Sequence, residues 1–185
     1  MPKLESIEIM IDLETLGTSN KAPVVSIGCV AFDGKVVYDQ LYLTLNLKEQ
    51  IDTQKRLVDA DTLQWWFSQS NDARAVFKEN KRGVVESLTE LTQFITKLEA
   101  KEVYVWGNGS NFDITILESL YKDFEIKVPW KYGKIMDLRT IRRFLGGNEK
   151  IKVEGVKHNA LADALAQAKY LQKWISDFRE LKKKA

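Results

Sequence analysis

Cysteine and histidine occur once each in the 185 residues, as Cys29 and His158. One cysteine excludes an intrachain disulfide and any cysteine-based zinc site, and one histidine excludes a zinc site that needs two. Cys29 falls in the apolar run Val24 to Phe32, where a small buried side chain is expected rather than a nucleophile. No apolar run approaches the roughly 18 residues of a membrane span, and the N-terminus lacks a basic stretch followed by an apolar one. A cytoplasmic protein with no membrane association is therefore expected. An excess of one charge is missing too. The net charge of +2 neither demands nor forbids a nucleic-acid partner, so any phosphate attraction must come from local patches. There is no internal repeat, low-complexity tract or linker, and the length predicts one domain over residues 1–185. The 44% hydrophobic and 29% charged content is ordinary for a globular chain.

What the chain does have is an apolar stretch, Ile7 to Thr15, that ends in two acids. Ile7, Ile9, Ile11 and Leu13 alternate with Glu8, Met10, Asp12 and Glu14, so a strand would turn Asp12 and Glu14 to one face. Two adjacent carboxylates repel and are costly to desolvate; the pair is either solvated or neutralised by a cation. Hard divalent ions such as Mg2+ or Mn2+ suit an all-oxygen site.

Gly17 to Asn20 and Pro23 provide turn chemistry before a second strand, Val24 to Phe32. Asp33-Gly34 is a hairpin dipeptide leading into a third, Val36 to Leu45, and the three are expected to be adjacent and antiparallel. Asp61, with Gln64 three residues later, resembles a capping box opening a helix through Leu63, Trp65, Trp66 and Phe67. Adjacent tryptophans diverge on a helix: one packs, and the other is free to stack on a base. Apolar residues from Val85 to Leu98 predict a helix over Gly83 to about Glu99. Glu102 to Trp106 is a short strand ending at Gly107-Asn108-Gly109. A helix follows with Asp113 in its first turn, favourably placed on the helix dipole. Pro129 and Gly133 mark a loop, then Leu138 to Leu145 suggest a helix ended by Gly146-Gly147. Arg139, Arg142 and Arg143 on or near it form a solvated basic face or a phosphate contact. A long helix runs from Asn159 to about Lys182.

Three segments carry the chemistry: D-L-E-T-L-G at Asp12 to Gly17, G-N-G-S-N-F-D-I-T-I-L at Gly107 to Leu117, and H-N-A-L-A-D-A at His158 to Ala164. In content, order and spacing they resemble the motifs of the DEDDh, or DnaQ-like, 3′-5′ exonucleases. The T-L-Q-W-W segment is also similar to a small phage and bacterial branch of single-domain, exoribonuclease-like enzymes. The resemblance spans about residues 7 to 175. It implies an α/β, ribonuclease-H-like three-layer fold with a mixed five-stranded sheet flanked by helices.

It also implies a hydrolase that releases nucleoside 5′-monophosphates from the 3′ end of single-stranded DNA or RNA, with two divalent metal ions, Mg2+ or Mn2+. Asp12 would bridge the ions, Glu14 and Asp163 would hold the one that activates water, and Asp113 would hold the other through water. His158 would be the general base, since imidazole titrates near neutral pH. Five residues subtend about 140° on a helix, so His158 is expected on the loop that leads into the helix carrying Asp163. Leu13, Thr15, Leu16, Asn111 and Phe112 would hold the terminal nucleotide, with core or loop packing as their alternative. A homodimer is allowed by analogy. Two rival readings, a catalytically silent nucleic-acid-binding module and a polymerase-associated proofreading subunit, differ in metal-dependent product release and in co-purification of a polymerase.

Overall fold

The computed structural model describes residues 4–145 and 151–184. β1 (Leu4–Thr15) starts three residues earlier than the alternation requires and is the central strand of the sheet. β2 (Val24–Phe32) and β3 (Val37–Thr44) follow it antiparallel, as the hairpin signal predicts. The turn is built by Asp33, whose Oδ1 accepts from the N–H groups of Lys35 and Val36. That local bond offers the backbone a turn in place of a continued ladder.

The chain then forms a π-helical turn over Glu49–Thr53, α1 (Ala60–Ser68), α2 (Asn71–Arg74) and a 3-10 turn over Ala75–Lys78. The cap of α1 is Asp59 rather than the expected Asp61: its side chain accepts from Thr62 N at 2.8 Å. α3 (Val84–Thr96) carries the chain across to β4 (Ala100–Gly107), which runs parallel to β1, and α4 (Asp113–Asp123) follows. β5 (Ile135–Asp137) adds three residues parallel to β4, in a stretch the residues alone suggest is loop. α5 (Leu138–Phe144) and α6 (Ala160–Lys184) close the order. The expected terminator Gly146-Gly147 lies outside the described residues.

The sheet order is β3-β2-β1-β4-β5. Period-two alternation in β1 sends Ile7, Ile9, Ile11 and Leu13 into a core with Leu88 and Leu91 of α3 and Ile114 and Leu117 of α4. The opposite face, through Met10, Val30 and Trp106, meets Leu138 of α5 and Ala164, Ala168 and Leu171 of α6. Small side chains on α6 let it lie close to the sheet, and Cys29 is fully buried. Trp66 is the packing tryptophan, buried with Leu16, Val25, Ala73 and Val76, and its indole N–H donates to Thr15 O at 2.9 Å. Trp65 stays 40% exposed. Among the described residues, no helix is long and apolar enough to cross a membrane.

Candidate active site

Because β1 alternates, the face carrying Met10 also carries Asp12 and Glu14, and it faces α6. α6 can approach because Asp12 is paired across the sheet with Gly28. A Cβ at Gly28 would lie 2.1 Å from Ala160 O. Only glycine admits the first turn of the helix so near. Asn159 caps that turn, its Oδ1 accepting from Ala162 N at 3.0 Å, and Asp163 follows within it. The outcome is that Asp12, Glu14 and Asp163 each offer a carboxylate oxygen within 4.8 Å of one another.

Asp113 arrives from the other side. The β1–β4 ladder stops at Met10 opposite Trp106, three residues before Leu13, whose N–H donates to Asp113 Oδ1 at 3.2 Å. Gly107 makes room, since a Cβ there would sit 3.1 Å from Asp113 Oδ2. Asp113 opens α4 and is only 4% exposed.

Such crowding is costly to ionise. Burial pushes Asp12 well above the usual carboxylate range, and Asp113, Glu14 and Asp163 add repulsion that a hydrogen bond from Gln167 partly offsets. Burial, then Asp163 and Asp113, raise Glu14 to about 8. Burial raises Asp113 to about 7 against the opposing pull of the Leu13 N–H and Arg139. Asp163 is raised by burial, while the His158 side chain and the backbone N–H groups of His158 and Asn159 pull it down. Hard oxygen donors in this packing fit divalent cations, which would replace protons as the neutralising charge.

A cavity of about 520 Å³ adjoins the acids, lined by Leu13, Glu14, Thr15, Asp59, Trp65 and Phe112 among others. Its size suits a nucleotide. Of the residues expected to hold a terminal nucleotide, Leu13, Thr15 and Phe112 border it. Thr15 spends its hydroxyl on Gly17 O, at 2.7 Å. Asn111 is exposed ahead of α4 and is absent from the lining. Leu16 packs in the Trp66 cluster, its N–H donating to Pro23 O and its carbonyl accepting from Asp59 N. Buried Arg56 pins the loop before α1, donating to Ala22 O and Asp123 Oδ2.

His158 sits on the lead-in loop, as the spacing requires, with a left-handed backbone at φ 60°. Its ring meets Trp65 edge to face at 4.7 Å between centroids. Sequence reasoning misses Gln167, whose Nε2 donates to Asp12 Oδ1 at 2.7 Å. The signal for it is position: four residues after Asp163, hence on the same helix face.

The family described as 3′-5′ exoribonuclease Rv2179c-like domain matches residues 7–175. An exodeoxyribonuclease of Enterobacteria phage T4 is 29% identical over 129 residues, 64% of this chain; the match spans 57% of the phage protein's length. Among solved structures, the nuclease domain of 3′hExo, a DEDDh family member bound to rAMP, is similar with TM-score 0.61 at 12% identity, over 92% of each chain. Cell-death related nuclease 4 gives 0.61 at 14%, over 93% of this chain and 65% of its own. S. pombe Pop2p, in a form with Mg2+ and Mn2+ bound, gives 0.55 at 14%, over 90% and 81%. These likenesses are of fold, and the fold is the expected ribonuclease-H-like one.

Proposed function

We propose, from the premise that this chain belongs to the Rv2179c-like family of 3′-5′ exoribonuclease domains, that it removes nucleoside 5′-monophosphates from the 3′ end of single-stranded DNA or RNA. The observation that carries the reading is the meeting of Asp12, Glu14 and Asp163 within 4.8 Å beside a nucleotide-sized cavity. Asp12, Glu14, Asp163 and Asp113 would hold two divalent cations, Mg2+ or Mn2+. When bound, such ions lower the pKa of water and stabilise charge on the attacking and leaving oxygens.

The remaining work belongs to the chain's own residues. Leu13, Thr15, Phe112 and Trp65 border the space for the terminal nucleoside, with Trp65 offering an exposed aromatic face for its base. Asp59 and Asp61 on the same cavity disfavour a phosphate there, so the scissile phosphate belongs at the carboxylate end. His158 takes the proton of the attacking water, moving from its rest on Trp65. Arg139, which donates to Asn108 O at 2.9 Å and draws Asp113 down, supports an upstream phosphate contact. Asn111 and Leu16 are left to loop and core packing. A cytoplasmic setting and self-association of two copies belong to the same proposal.

The test is digestion of matched DNA and RNA oligonucleotides, labelled at the 5′ end, with Mn2+ and with chelator. A ladder shortening from the 3′ end only with Mn2+ is expected, together with loss of at least about 10³-fold in Asp12→Ala, since metal-borne charge stabilisation contributes several kcal/mol. Binding of the oligonucleotide without product release, or full activity in folded Asp12→Ala, would overturn it.

A further inference from the structure

We propose that Gln167 is the positioning residue that fixes the Asp12 carboxylate for cation binding, a role that rests on the nuclease reading above. Two of the other acids, Asp113 and Asp163, have backbone N–H groups beside them. Asp113 accepts from Leu13 N–H, and the backbone N–H groups of His158 and Asn159 favour the charged form of Asp163. Asp12 takes its tether from a side chain: Gln167 Nε2 donates to Oδ1 at 2.7 Å from one turn beyond Asp163 on α6. Glu14, Asp113 and Asp163 repel that carboxylate, and the Gln167 hydrogen bond opposes them.

Gln167 is a poor choice for packing alone. It is 5% exposed, and its Oε1 is buried with no hydrogen-bond partner among the described residues. Half of the amide is thus desolvated without compensation, where a leucine or methionine would fill similar volume at no such cost. The donor is what the position gains. A lysine or arginine would also hold Asp12, but its charge would neutralise the carboxylate and compete with a cation. A neutral amide orients Asp12 through one oxygen and leaves Oδ2 and its full negative charge for an ion. Partners of ligating groups set affinity in this way, and their loss typically costs 10- to 100-fold in metal binding, an order-of-magnitude range.

Mn2+ titration of the full chain without substrate, followed by electron paramagnetic resonance, tests this in wild type, Q167L, Q167M and D12N. Q167L and Q167M should bind Mn2+ roughly 10- to 100-fold more weakly, with melting temperatures in chelator equal to or above wild type. Two apolar variants guard against one failing to fold. Wild-type affinity in either folded variant would overturn the role, as would a fall in chelator melting temperature with affinity retained, which marks a packing residue. Absence of Mn2+ binding by wild type, or wild-type binding by D12N, would instead overturn the metal site itself.

Discussion

Trp65 and His158 meet edge to face at 4.7 Å, and this contact decides how the proposed base behaves. Aromatic edge contacts are worth about 0.5–1.5 kcal/mol, enough to park the ring and little enough to release it. His158→Ala should lower kcat by roughly 10²- to 10⁴-fold, the usual worth of general acid-base catalysis, while leaving Mn2+ affinity within about twofold. Single-turnover kinetics alongside a Mn2+ titration check this; a loss confined to metal binding would contradict the base role. At this scale the sequence is informative where chemistry carries a motif. Asp12 and Glu14 are legible because strand periodicity puts them on one face, and Asp113, His158 and Asp163 because their spacings match known motifs. Gln167 is not legible in the same way, since a lone amide has no motif and its partner is 155 residues distant. Leu16, adjacent to the acids in the chain, is drawn into the core by Trp66 instead.

Between β2 and α6 the site depends on a missing side chain. Gly28 lets the first turn of α6 rest on the sheet opposite Asp12, and that approach sets where Asp163 stands. Gly28→Ala should lift the turn, because backbone at 2.1 Å cannot yield as a side-chain tip can. Overpacking of this kind costs about 1–3 kcal/mol, so the variant should fold with a lowered melting temperature. Its Mn2+ affinity and turnover should each fall by at least about tenfold through displacement of Asp163. Circular dichroism and a Mn2+ titration measure both, and unchanged affinity would show that the contact does not set the site. Elements long enough to show a period are readable in the sequence, as β1, β2, α3 and α6 are. β5 has only three residues, and its pairing with Val105 to Gly107 comes from tertiary placement rather than local pattern. The cap of α1 is misread by two residues because both Asp59 and Asp61 are acceptable caps; Asp59 wins because its N–H also bonds Leu16 O, which fixes where the chain enters the helix.

For the molecule as a whole, the acid cluster couples stability to pH and to metal. Glu14 is raised from its ordinary 4.5 to about 8, and Asp113 from 3.8 to about 7, both chiefly by burial. Across that window the folded, metal-free chain binds protons that the unfolded chain has released. The stability they contribute is therefore full near pH 4 and is lost as pH rises toward 8. Melting temperature in chelator should fall from pH 5 to pH 8, and Mn2+ at a hundred times its Kd should restore about 2.7 kcal/mol, or roughly 5 to 10 °C, at the alkaline end. A flat profile in chelator would mean that the carboxylates are already solvated. The strand and helix signals predict an α/β chain and the motif resemblance implies its three-layer arrangement, whereas the convergence of Asp12, Glu14, Asp113 and Asp163 depends on strand order and crossover geometry that no local window contains. Manganese anomalous scattering from crystals soaked in Mn2+ tests that convergence most directly. The account predicts a peak bounded by Asp12, Glu14 and Asp163 with Asp113 alongside; the acids standing without an ion, or manganese bound only elsewhere, would contradict it.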